Sequence, residues 1–177
     1  MKLVKLSESS PAKDVSSQEA SSVGTKVTVN AAFLAEVKTI HHELWDLLEE
    51  TKTMCHQTYR SAKWQTRFVE SMCELRDLFA MQFSLEEGLG YFDEPVYVEA
   101  NVSRRASTLR DDHQSLYKEI SRICEWLEDL RYSGGLSGEM SNIRVCFESF
   151  YDQIQTHEKR EGELIYEAYC NDIGTGD

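Results

Sequence analysis

Residues 143–168 read IRVCFESFYDQIQTHEKREGELIYEA. Stepping along them by three and four residues collects Ile143, Cys146, Phe147, Phe150, Ile154, His157, Glu161, Leu164, Ile165 and Ala168. Apolar side chains at that spacing share one face of an α-helix, which must be buried against other elements. Two polar residues, His157 and Glu161, interrupt the stripe one turn apart. A helix of this length with a single polar step in an apolar seam sets the expectation for the whole chain.

Working outward, three more segments carry the same pattern. After Asn30, a good N-cap, a first helix is expected over about 31–57, facing inward with Leu34, Val37, His41, Leu44, Trp45 and Leu48. A second, about 61–91, starts at Ser61 and runs through Phe68, Met72, Leu75, Phe79, Gln82, Glu86 and Leu89 towards Gly88, Gly90 and Pro95. A third, about 98–132, carries Ala106, Leu109, His113, Leu116, Tyr117, Ile120 and Leu127 and is ended by Ser133-Gly134-Gly135. The opening segment becomes the fourth, about 138–171. Four long helices with short connections predict an all-α fold, an antiparallel up-down four-helix bundle over 26–177. Residues 1–25, rich in Ser, Lys and Glu, bury too little to offset their ordering and predict a disordered tail.

The composition narrows the partners. Across 177 residues, 31 Asp and Glu against 19 Lys and Arg give a net charge of −12, which repels phosphate backbones and speaks against nucleic acid. No apolar run reaches the length of a signal peptide or a membrane span. Cys55, Cys73, Cys124, Cys146 and Cys170 are scattered with no C-x-x-C pair, which fits buried thiols in a reducing, cytoplasmic setting better than a disulfide framework or a thiolate zinc site.

The interruptions are the informative part. His41, Gln82, Glu86, His113, His157 and Glu161 break the four stripes at similar heights, with His41, Gln82, His113 and His157 falling within roughly 6 Å of one level at a rise of ~1.5 Å per residue. Burying an unpaired polar group costs roughly 2–7 kcal/mol, against ~5–15 kcal/mol of net stability for a whole domain. The layer therefore needs a common partner. Imidazoles and carboxylates on facing helices suit a metal ion; the alternative is a metal-free hydrogen-bond layer in which Gln82 and Tyr117 donate to carboxylates. Glu-x-x-His pairs, H-E-x-x-H, Gly-rich phosphate loops and G-x-S-x-G are absent, and no further acid–base constellation points to an enzyme. His42 falls on the flank beside Asp46, His56 near a helix end, and Glu87, Asp93 and Glu94 among surface charges.

The segments His41-His42-Glu43-Leu44, Gln82-Phe83-Ser84-Leu85-Glu86-Glu87, Asp112-His113-Gln114-Ser115-Leu116 and His157-Glu158-Lys159-Arg160-Glu161 resemble, in order and register, the hemerythrin-like (HHE cation-binding) family. The ending Asp172–Asp177 is similar to the tail of bacterial members. The resemblance covers about 31–177 and implies a non-haem di-iron site, with His41, His113 and His157 matching histidine ligands and Glu86 and Glu161 matching bridging carboxylates. Two positions depart. Gln82 stands where the family's H-F-x-x-E-E begins with histidine, and Tyr117 where oxygen-carrying members have a second histidine. The expected function is a cytoplasmic iron-binding protein with an incomplete di-iron site, sensing or handling iron, O2 or another small oxidant. Gln82, Tyr117 and His42 are the secondary candidates for the metal. A metal-free helical interaction or regulatory module that retains the fold is the alternative.

Overall fold

A computed structural model of the protein describes residues 26–57, 61–94 and 100–174. The expected tail at 1–25 lies outside the described residues. Strand β1 (Lys26–Val29) is followed by α1 (Ala31–Ile40), α2 (His42–His56), α3 (Ala62–Leu85), a π turn at Glu86–Gly90, β2 (Tyr91–Glu94), α4 (Ala100–Ser133) and α5 (Leu136–Gly174). The body is all-helical, with one small two-stranded ribbon.

The caps act where the residue types favour them. Asn30 Oδ1 accepts from the Phe33 N–H at 3.2 Å, and Ser61 Oγ from the Trp64 N–H at 3.2 Å. Gly134 adopts φ +77 just past α4, a left-handed conformation open to glycine at little cost, and lets Gly135 N–H return to Leu130 O at 2.9 Å. Around the body α2 contacts α3, α3 contacts α4, α4 contacts α5, and α5 contacts α2.

Two local expectations are corrected. The first helix does not run unbroken over 31–57: His41, at φ −84 and ψ 44, leaves helical geometry, caps α1 through its N–H to Val37 O, and starts α2. The second helix does not continue α-helically to 91. Its regular turns end at Leu85, and a wider i→i+5 turn from Tyr91 N–H to Glu86 O takes over. Beyond it the chain becomes β2, antiparallel to β1, with Val29 opposite Tyr91 and Lys26 opposite Glu94. The ribbon requires a close approach at Gly90, whose absent Cβ would lie 2.2 Å from Leu34 Cδ2; its carbonyl accepts from Asn30 N–H at 2.8 Å.

The apolar core is divided in two. A larger cluster includes Leu48, Phe68, Phe79, Ile123, Phe147 and Phe150, drawn from α2 to α5. A smaller one, Val27, Leu34, Tyr91, Val102, Ala106, Leu109, Leu164 and Ile165, lies under the ribbon. Along α4 the smaller cluster ends at Leu109 and the larger begins at Leu116; along α5 the larger ends at Ile154 and the smaller begins at Leu164. His113, His157 and Glu161 fall in those gaps, so the polar layer separates the two clusters. Leu89 (53% exposed) and Tyr117 (40% exposed) were expected to face inward and instead face solvent.

Candidate metal centre

Each layer residue is held by the element that carries it. Gln82 and Glu86 leave α3 on one face, one turn apart, and Glu86 opens the π turn. His113 projects from α4, and His157 and Glu161 from α5. Gln82, Glu86 and Glu161 have no exposed surface, and His113 and His157 have 1% and 2%. Phe83 stacks on the His113 ring, centroids 4.4 Å apart at 8°, and meets His157 edge-on at 6.2 Å. These contacts fix both imidazoles in an apolar wall.

The network around them is directional. His41 Nδ1–H donates to Gln82 Oε1 at 3.2 Å, and the Gln82 amide donates to Glu86 Oε1 at 2.8 Å. Tyr91 Oη–H donates to Glu161 Oε1 at 2.5 Å. Lys38 pairs with Glu158 and stands 2.6 Å from Glu161 Oε2. On the far side His113 Nδ1–H donates to Glu87 Oε1 at 3.1 Å, which turns the lone pair of Nε2 towards Glu86 Oε2, 3.3 Å away.

Glu86, His113, His157 and Glu161 each offer a donor atom, and all four atoms lie within 4.8 Å of one another. Opposed ligands roughly 2.0–2.2 Å from an ion stand roughly 4–4.4 Å apart, so small side-chain movements close the shell. Five buried atoms of this cluster lack a hydrogen-bond partner: Glu86 Oε2, His113 Nε2, both ring nitrogens of His157, and Glu161 Oε2. Of these, Glu161 Oε2 is ion-paired with Lys38 Nζ at 2.6 Å, and His113 Nε2 faces Glu86 Oε2 at 3.3 Å. Two acceptors facing each other at 3.3 Å call for a proton or a cation between them.

The electrostatics agree. Burial, reinforced by the charge of Glu161, pushes the Glu86 carboxyl up to about 9. Burial, with His157 nearby, holds His113 down at about 3, and burial also lowers His157. Both imidazoles are therefore neutral at pH 7, the state in which histidine binds metals. Burial works against the Lys38 ammonium, yet the charges of Glu161 and Glu158 outweigh it and raise its pKa.

No family model, curated protein or solved structure matches this chain. The geometry therefore speaks alone. Of the expected residues, Glu86, His113, His157 and Glu161 converge on one point, while His41 connects to them through the Gln82 amide. Tyr117 and His42 are exposed. Glu87, expected as surface charge, is exposed and also accepts a hydrogen bond from His113. Lys38, Tyr91 and Glu158 escaped the reading of the stripes. Lys38 and Glu158 flank apolar or ligating positions as ordinary charges, and Tyr91 arrives only through the π turn. A groove of about 380 Å³, lined by residues including Asp112, Leu116, Asp152, Thr156 and Arg160, reaches His157 from solvent. Among the described residues, no helix is long and apolar enough to cross a membrane.

Proposed function

We propose that this protein is a non-haem metal-binding protein of hemerythrin-like type, an antiparallel up-down four-helix bundle that holds iron in the cytoplasm and senses or handles iron, O2 or a small oxidant. The observation that carries the proposal is the convergence of Glu86, His113, His157 and Glu161, whose donor atoms lie within 4.8 Å of one another in a buried layer where five side-chain atoms make no hydrogen bond. Two neutral imidazoles and two carboxylates suit iron or manganese, and a bound ion would satisfy the partnerless donors of all four residues together. Glu87 behind His113 supplies the kind of outer carboxylate that orients a ligating histidine, while Asp112 Oδ2, held by Arg160, stands 3.9 Å from His157 Nδ1. The ring of contacts among α2, α3, α4 and α5 supports the bundle, and the groove beside His157 offers a small molecule an approach. When bound, iron would supply redox chemistry; Glu86, His113, His157 and Glu161 would hold it and offset its charge.

A metal-free module has two observations in its favour. The Glu86 carboxyl, pushed up to about 9, can keep its proton and donate it to His113 Nε2, 3.3 Å away. Lys38, Gln82 and Tyr91 already satisfy part of the layer. Elemental analysis and a visible spectrum of protein purified without chelator separate the two readings. The metal-binding reading expects bound iron that His113→Ala and His157→Ala remove, whereas protein that stays colourless and takes up no iron on reconstitution would leave the metal-free module.

A further inference from the structure

Lys38 is the one cationic side chain that meets the buried carboxylates of the candidate centre among the described contacts. Its ammonium lies 2.6 Å from Glu161 Oε2 and pairs with Glu158 one turn before that along the ridge of α5. It is held there by α1, which packs on α5, and its side chain is only 20% exposed.

We infer that Lys38 occupies the place of a second cation in the layer, so that the centre accepts one divalent ion and not two. This rests on the metal-binding reading above. The first ground is the distribution of donors. Glu86 Oε1 is taken by the Gln82 amide, Glu161 Oε1 by the Tyr91 hydroxyl, and Gln82 Oε1 by His41. The buried atoms that make no hydrogen bond are Glu86 Oε2, His113 Nε2, the His157 nitrogens and Glu161 Oε2. One donor atom from each of the four residues lies within 4.8 Å of the other three, and Glu161 Oε2 would be shared between the ion and the ammonium.

The second ground is charge. Glu86, Glu158 and Glu161 carry three negative charges when ionised, and Lys38 one positive, leaving two to be compensated. One divalent ion closes that balance. A second would leave an excess of two positive charges in a region almost closed to water, where uncompensated charge is strongly disfavoured. Removal of Lys38 opens the Glu158–Glu161 edge to another cation.

The test is titration of chelator-stripped full-length protein with Co(II) under reducing conditions, following visible absorption and calorimetric stoichiometry. Wild type is expected to bind one equivalent. Lys38→Met is expected to bind the first ion more tightly, on the order of tenfold, and to accept a second, weaker equivalent. Lys38→Arg, which retains the charge, is expected to remain at one. Helical circular dichroism checks that each variant folds, and Lys38→Gln replaces the Met variant if that one does not. Two equivalents in wild type would overturn the inference, as would one unchanged equivalent in folded Lys38→Met and Lys38→Gln. Binding by Lys38→Met alone would uphold Lys38 as the resident cation and overturn metal binding by the wild type. Absence of binding in every variant would overturn both.

Discussion

At the scale of single residues, the decisive contrast is between donors that already have partners and donors that do not. His113 Nε2 and the His157 nitrogens make no hydrogen bond, whereas His41 spends its Nδ1–H on Gln82. Accordingly His113→Ala or His157→Ala should lower metal affinity by roughly tenfold or more, and exposed His42→Ala should leave it unchanged, as measured by equilibrium competition with a coloured chelator. Glu87→Gln weakens the carboxylate behind His113 and should reduce affinity by roughly 10–100-fold. Glu86 carries a pH signature. Its folded-state pKa, about 9, lies above the ordinary 4.5, so its contribution to metal-free stability is full below about 4.5 and is lost as pH rises through about 9. Denaturation midpoints of metal-free protein across that window should therefore fall with pH, and Glu86→Gln should flatten the fall. A bound divalent ion needs the carboxylate, so binding at pH 7 should release about one proton, seen as different calorimetric heats in buffers of different ionisation enthalpy.

At the scale of elements, the interruptions of regular structure position the site. The break at His41 separates α1 from α2 and lets α1 carry Lys38 against α5. The π turn at Glu86–Gly90 swings the chain so that Tyr91, buried in β2, reaches Glu161. Gly90 allows that turn to lie against Leu34. Gly90→Ala would place a Cβ well inside contact distance of the Leu34 side chain and should destabilise the protein by about 1–3 kcal/mol, measurable by urea denaturation. Because α1 and the ribbon would be displaced together, the same variant should also loosen Lys38 from Glu161.

At the scale of the whole molecule, the polar layer is a seam between two apolar clusters, so an ion bound there would tie α3, α4 and α5 together. A ligand that binds only the folded state stabilises it by about 2.7 kcal/mol at a hundredfold excess over its Kd. The melting temperature should rise with added metal and fall with chelator, and a melting curve indifferent to both would count against the seam as a metal site. The sequence by itself determined the helical class, the caps at Asn30 and Ser61, the stop at Gly134 and the stripe positions of Glu86, His113, His157 and Glu161. All of these follow from local propensity and a 3.6-residue period, which act over a few neighbours and survive in any packing. Only the tertiary structure decided the break at His41, the ribbon of 26–29 with 91–94, the outward turn of Tyr117 and Leu89, and the arrival of Lys38 and Tyr91 beside the carboxylates. The ribbon and the arrivals join residues far apart in the chain, the outward turns depend on what each helix packs against, and no repeat in the sequence records which partner a flanking charge will meet.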